Sequence, residues 1–287
     1  LVPRLIDAPL ASLGTLFLVV AAFAAVTLAA MVTLTSTARD EAQKWLGSLA
    51  VMATTLSLLA LFRNEQLTWS IAAFGLALIL LGVKLGRRAA IFAGLAHLIS
   101  AAVRLTLNPW LLDYHPRGAT PIINWITPTF LLPVFAFAAA WWLLSRREGP
   151  DDDEVDVLPQ RVTGALALLV PFVWLNVCVL DIYSAGPRLA LTAGASEAQN
   201  LSISAVWAAY GVGLLVLGLS RKSAPLRWTS LGLVLITAGK VFVYDLGNLQ
   251  DLYRVASLAG LALSLLAISV LYQRFVFGPR VGGAGGA

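Results

Sequence analysis

Nine runs of apolar residues, each long enough to cross a lipid bilayer, constrain this chain more than any other feature of its sequence. An α-helix rises about 1.5 Å per residue, so about 20 apolar residues span the hydrocarbon core. The nine runs lie near residues 10–34, 45–62, 68–86, 89–107, 122–144, 162–181, 202–219, 226–246 and 252–272. The sequence therefore predicts an all-α, polytopic transmembrane helix bundle of about nine helices.

The composition excludes several classes of protein. Of the 287 residues, 59 % are hydrophobic and 12 % are charged, whereas about a quarter of the residues of a soluble domain are charged. The single cysteine, Cys178, excludes an intramolecular disulfide, and two histidines cannot form a three-histidine metal site. We therefore expect no metal ion and no cofactor. The net charge of +5 comes from basic residues at helix ends, which favours an orienting role over nucleic-acid binding.

Lysine and arginine residues fall mostly on one side of the predicted bundle. Thirteen of the 20 lie on the side that holds the loops after odd-numbered helices, five lie on the other side, and Arg104 and Lys240 lie inside helices. Cytoplasmic loops of membrane proteins carry an excess of lysine and arginine. With an odd number of helices, the sequence predicts an external N-terminus and a cytoplasmic C-terminus.

The chain is predicted to divide at an acidic segment. A five-helix transmembrane half at 1–145 precedes a cytoplasmic linker at 146–161, a four-helix half at 162–276 and a flexible tail at 277–287. The linker contains the run Glu-Gly-Pro-Asp-Asp-Asp-Glu. Because its carboxylates follow no ligand spacing, we interpret the run as a hydrated loop, with a divalent-cation site as the alternative.

Two helix pairs echo each other in sequence, at spacings of 137 or 138 residues. The matching positions are Trp69 and Trp207, Leu98–Ala101 and Leu235–Ala238, and the lone cations Arg104 and Lys240. Four helices separate the copies, so both would run in the same direction. This pattern favours a parallel duplication of helices 3–4 and 7–8, against the alternative of chance similarity in a chain rich in leucine and alanine.

Polar side chains inside or beside the predicted spans are the candidate functional residues, because burying such groups in lipid is costly. Most of them lie toward the external ends of helices. The candidate ligand-binding residues are Arg104, Asn124, Asn176, Asp181, Lys240, Tyr244, Asp245, Tyr253 and Arg254. If the helices that carry them are neighbours, their external ends surround a polar cavity in which cations and carboxylates pair.

Each of these residues also has a structural interpretation. Arg104 and Lys240 lie close enough to helix ends to extend their charges to water, or to form ion pairs between helices. Tyr244 and Tyr253 suit an interfacial aromatic belt. His97 lies near the bilayer centre, where we expect a neutral imidazole bonded to a neighbouring helix, with a proton relay as the alternative.

No catalytic motif is present in the sequence. It contains no nucleophile elbow, no P-loop, no glycine-rich dinucleotide turn, and no histidine at a recognisable spacing from a serine or cysteine. We therefore favour a role other than catalysis.

Several segments carry a resemblance to a known family. They are Leu201–Tyr210, Leu217–Lys222, Lys240–Leu246, Leu252–Ser257 and Leu271–Arg274, together with Asn108-Pro109, Tyr114–Gly118 and Asn124-Trp125. The sequence resembles the C-terminal region of the bacterial predicted membrane proteins of domain of unknown function 2339. That family is typically longer, which implies a short member or a piece. The resemblance implies the bacterial inner membrane and cell envelope but no reaction, and it points to Lys240, Asp245, Tyr253 and Arg254.

Three hypotheses of function follow from these features. The first is a multi-pass protein of the bacterial inner membrane that binds or transports a polar or lipid-linked envelope solute through an outward-facing polar cavity. The second is a structural or accessory subunit, whose partners would be other membrane-protein subunits as well as the bilayer. The third is a membrane transferase that acts on a lipid-linked sugar.

Overall fold

The fold is known from a computed structural model. It describes residues 14–22, 37–118, 120–147, 154–184, 186, 189, 196–242, 262–263, 265–266 and 268–270, with the backbone alone at 37–43 and 154–156. All secondary structure within these ranges is helical. The all-α prediction is confirmed for the part of the chain that is described.

The helices follow one another with short connections. They are α1 (14–22), α2 (Thr37–Leu61), α3 (Asn64–Leu85), α4 (Arg88–Thr106), a 3₁₀ helix (Pro109–Asp113), α5 (Ile126–Ser145), α6 (Glu154–Tyr183), α7 (Glu197–Ser220) and α8 (Ala224–Lys240). Six of them, α2 to α7, are long and apolar enough to cross a membrane. The protein is therefore a membrane protein with several apolar helices, whereas the number nine and the orientation stay predictions.

The helix bounds differ from the prediction where polar residues flank an apolar run. α6 begins at Glu154, so the second half of the predicted linker 146–161 is helical. Acidic residues at positions 154 and 156 lie at a helix N-terminus, where the helix dipole stabilises negative charge. The predicted tail 277–287 and most of the predicted helices one and nine lie outside the described residues.

The described residues form two compact units. Those within Leu1–Trp174 and Ala185–Leu189 make up the first unit, and those within Leu175–Ser184 and Ala190–Ala287 make up the second. The boundary between them therefore falls inside α6, beyond the acidic segment at which the sequence predicts a division.

In the first unit, α3 and α4 form a closely packed antiparallel hairpin. Gly86 ends α3 with a φ of 65°, a left-handed conformation that glycine adopts without strain. Gly75 and Gly94 face each other where the two helices cross, and neither has room for a side chain. Small residues let helix backbones approach closely in a membrane, where packing drives association. α5 packs against α3 and buries Phe137 completely.

His97 connects α4 to α2 within the same unit. Its Nε2 lies 2.9 Å from the Thr55 hydroxyl and its Nδ1 lies 2.8 Å from the Ala93 carbonyl oxygen. Phe74 contacts the imidazole edge-on, with ring centroids 5.1 Å apart. Both ring nitrogens therefore have protein partners, as expected for a structural histidine bonded to a neighbouring helix.

In the second unit, α7 and α8 form another antiparallel hairpin. Ser230 on α8 donates a hydrogen bond of 2.7 Å to the Gly211 carbonyl oxygen on α7, and the serine is fully buried. The turn between the helices contains Lys222, whose φ is 50°. Toward the start of α7, Trp207 Nε1 donates to Asn176 Oδ1 on α6 at 2.8 Å. α7 is thus bonded to both α6 and α8.

Candidate functional site

Arg104 lies in the last turn of α4 and is held by three neutral oxygen atoms. Its Nε donates to Thr68 Oγ1, and its Nη2 donates to the Asn64 carbonyl oxygen and to the Tyr114 hydroxyl, each at 3.3 Å. Asn64 and Thr68 belong to the first two turns of α3, whereas Tyr114 follows the 3₁₀ helix. Arg104 therefore joins the start of α3, the end of α4 and the loop beyond it.

The loop that supplies Tyr114 is fixed by its own residues. Asn108 Oδ1 accepts from the Trp110 backbone at 3.1 Å, which caps the 3₁₀ helix, and Asn108 Nδ2 donates to the Tyr114 hydroxyl at 2.8 Å. Leu111 and Leu112 are buried and anchor the 3₁₀ helix. We call Asn64, Thr68, Arg104, Asn108 and Tyr114 the Arg104 cluster.

A second set of contacts extends the loop toward α5. His115 Nε2 lies 3.0 Å from Glu65 Oε2, with side-chain exposures of 41 % and 15 % respectively. The imidazole contacts Trp125 edge-on at 5.4 Å, and Trp125 Nε1 donates to the Pro116 carbonyl oxygen at 3.2 Å. These contacts bring the starts of α3 and α5 to one end of the first unit.

The electrostatics of the Arg104 cluster differ from the predicted pairing of cations with carboxylates. Within the part of the chain that is described, Arg104 forms no ion pair, and its Nη1 group has no hydrogen-bond partner. Neutral oxygens orient a guanidinium but leave its charge uncompensated. The cluster can therefore bind an anion through Nη1, which carries two N–H donors.

Lys240 is held in a similar way in the second unit. This residue ends α8, and its Nζ donates to Ser204 Oγ at 2.6 Å and to the Asn200 carbonyl oxygen at 3.2 Å. Asn200 and Ser204 lie in the first two turns of α7, one helical turn apart. We call these three residues the Lys240 cluster.

An apolar cavity of about 260 Å³ adjoins the Lys240 cluster. Ser204 lines this cavity and also accepts the hydrogen bond from Lys240. Most of the remaining lining comes from small and branched residues of α7 and α8, such as Ala208 and Val234. The ammonium group thus lies beside a space that suits a hydrocarbon chain.

The other predicted site residues have structural partners or lie elsewhere. Asn124 accepts from the Ile126 backbone at 2.9 Å and donates to the Thr120 carbonyl oxygen at 3.3 Å, so its amide orders the loop before α5. Asn176 accepts from Trp207, and Asp181 is fully buried in α6. Four predicted residues lie outside the described part of the chain, namely Tyr244, Asp245, Tyr253 and Arg254.

The structure adds residues to both clusters that the sequence analysis did not select. Asn64 and Thr68 were missed because the third helix was predicted to begin at 68, and Asn200 because the seventh was predicted to begin at 202. A signal for them existed. In both segments an asparagine is followed four residues later by a hydroxyl residue, just before a long apolar run.

Comparisons with known proteins identify a family without assigning an activity. Neither the curated proteins nor the solved structures contain a match to this chain. A family model described as predicted membrane protein (DUF2339) matches residues 85–275, well over half of the sequence. The match covers α4 to α8 and includes both cations, Arg104 and Lys240. The chain therefore belongs to the DUF2339 family of predicted membrane proteins.

Proposed function

We propose that this protein binds an anionic, phosphate-bearing solute or lipid headgroup at the membrane end formed by the Arg104 cluster. In this proposal it is a multi-pass protein of the bacterial inner membrane, and the cluster lies on the external side. The observation that carries the proposal is the Arg104 guanidinium, which neutral oxygens hold while its Nη1 group has no partner among the described residues.

The chemistry of the cluster favours a phosphate over a neutral polar group. Arginine presents planar N–H donors that match the oxygens of phosphate or carboxylate. Near the membrane boundary water competes less for these donors, so a charge-assisted hydrogen bond contributes more than it does in bulk water. Asn108 and Tyr114 fix the guanidinium from the loop side. A preoriented cation loses less entropy when a ligand binds.

Replacing Arg104 with methionine is expected to weaken binding of phosphatidylglycerol about tenfold or more, because a hydrogen bond to a charged group is lost. Native mass spectrometry of the full chain in detergent measures the lipid retained, with phosphatidylcholine as the zwitterionic comparison. R104K keeps the charge and is expected to retain part of the binding. The matched control is K84M, since Lys84 is exposed at the opposite end of α3.

The same experiment separates this proposal from the accessory-subunit hypothesis. If R104M is as stable as the unmodified protein and retains phosphatidylglycerol equally well, the proposal is wrong. A stoichiometric partner subunit that co-purifies with the unmodified protein but is lost from R104M would instead favour an assembly role for the arginine.

The external location of the cluster is open to a separate test. With the buried Cys178 replaced by alanine, a cysteine introduced at the exposed Thr120 is expected to react with a membrane-impermeant maleimide in intact cells. A cysteine at Arg87, in the turn between α3 and α4, is expected to react only after permeabilisation. The reverse pattern would place the Arg104 cluster in the cytoplasm and contradict the predicted orientation.

A further inference from the structure

The hairpins α3–α4 and α7–α8 correspond at a constant spacing of 136 residues. Their second helices begin at Arg88 and Ala224, and the cations in the last turns of those helices are Arg104 and Lys240. Both pairs of positions differ by 136. Each hairpin is described here within its own unit, so the correspondence concerns internal geometry.

The turns of the two hairpins have the same conformation. Gly86 and Lys222, again 136 residues apart, are both left-handed, with φ angles of 65° and 50°. In each hairpin the next residue donates a backbone hydrogen bond to a glycine of the first helix. These bonds join Arg87 N to Gly82 O at 2.9 Å and Ser223 N to Gly218 O at 2.8 Å.

The helix crossings also correspond. In each hairpin two glycines, seven residues apart on the first helix, lie against the second helix. At the first of them an added Cβ would meet matching side chains, and at the second it would meet matching backbone. The partners are Leu98 for Gly75 and Val234 for Gly211, then the Ile91 nitrogen for Gly82 and the Arg227 nitrogen for Gly218.

The strongest correspondence is between the two clusters. Each cation donates to a hydroxyl oxygen on the first helix and to a carbonyl oxygen four residues before it. The hydroxyl residues are Thr68 and Ser204, and the carbonyl residues are Asn64 and Asn200. Trp69 and Trp207, which first suggested a repeat, are two residues out of this register. Chance similarity between two helix pairs would not keep one spacing through both helices, the turn and the terminal cation.

We propose that α3–α4 and α7–α8 are copies of one ancestral hairpin, and that the Lys240 cluster is a second lipid-phosphate site equivalent to the Arg104 cluster. The proposal rests on the proposed function for the nature of the ligand. The apolar cavity beside Ser204 supplies space for the hydrocarbon chain of an anionic lipid whose phosphate meets Lys240. The protein would then hold two lipid headgroups, one at each hairpin.

Counting bound lipids tests the equivalence of the two sites. The unmodified chain in detergent is expected to retain two phosphatidylglycerol molecules per polypeptide, R104M and K240M one each, and the double variant none. K240R is expected to retain two, because the first hairpin uses arginine at this position. K84M serves as the control, and thermal unfolding of each variant shows whether the fold is kept.

The outcomes separate the two proposals. If R104M loses one lipid and a folded K240M loses none, the second site does not exist while the proposed function stands. If neither variant loses lipid, both proposals are wrong. Inorganic phosphate at the same concentration is expected to displace neither molecule, because it gains nothing from the apolar cavity. Displacement would assign the sites to a free anion and overturn the lipid assignment.

Discussion

Replacing Gly94 with alanine is expected to destabilise the first unit by about 3 kcal/mol, because the added methyl group overpacks a helix crossing. A Cβ at this position would lie 2.5 Å from the Gly75 carbonyl oxygen and 2.9 Å from the Ile79 backbone nitrogen. Both contacts are to backbone atoms of α3, so a rotamer change cannot relieve them. The two helices must separate, which weakens the packing along the hairpin.

Gly213→Ala is the matched control for this prediction. Gly213 lies inside α7, and an added Cβ there would meet no atom within 4 Å. Alanine favours a helix over glycine by about 1 kcal/mol, so G213A is expected to be neutral or slightly stabilising. Thermal unfolding in detergent, followed by the loss of the monodisperse species on size exclusion, measures both variants. Equal midpoints for G94A and G213A would refute the close crossing of α3 and α4.

Replacing Phe137 with alanine is expected to cost about 2 kcal/mol of stability, through the cavity that it leaves in the packed face of α5. Phe137 is 0 % exposed, whereas Phe135 on the same helix is 67 % exposed. In a bilayer, removing a side chain from lipid contact forfeits little, since lipid tails are as apolar as the side chain. The expected loss therefore comes from dispersion contacts within the protein.

Phe135→Ala makes the comparison specific to packing. It removes the same atoms two residues away, from a position that faces out of the unit. F135A is expected to unfold at nearly the same temperature as the unmodified protein. If F135A were the more destabilising of the two, the face of α5 assigned to the protein interior would be wrong, and with it the packing of α5 against α3.

Hydropathy predicted the spans well and their ends less well, for a physical reason. The apolar runs of α2 to α7 are set by bilayer thickness, so their centres can be read from the sequence. The first turns of α3 and α7 are polar, because they lie at the interface where backbone and side chains meet water. A hydropathy window excludes such turns even though they continue the helix. Asn64 and Asn200 were missed on that account.

The candidate site was predicted in part. The cost of a charge in lipid selected Arg104 and Lys240 without any knowledge of the fold. Their partners could not be selected in the same way, because contacts between helices depend on rotation about each helix axis. The expected carboxylate partner of Arg104 is replaced by a hydroxyl, a carbonyl and a phenol among the described residues. Composition alone favours an ion pair over such neutral oxygens.

Lys222 occupies a left-handed turn position where the first hairpin has Gly86. A side chain there strains the backbone by roughly 1 kcal/mol. In exchange, the second hairpin gains one more basic residue on the side that the sequence predicts to face the cytoplasm. The loop between α7 and α8 thereby sacrifices conformational ease to resist translocation, so its insertion polarity is written into the turn itself.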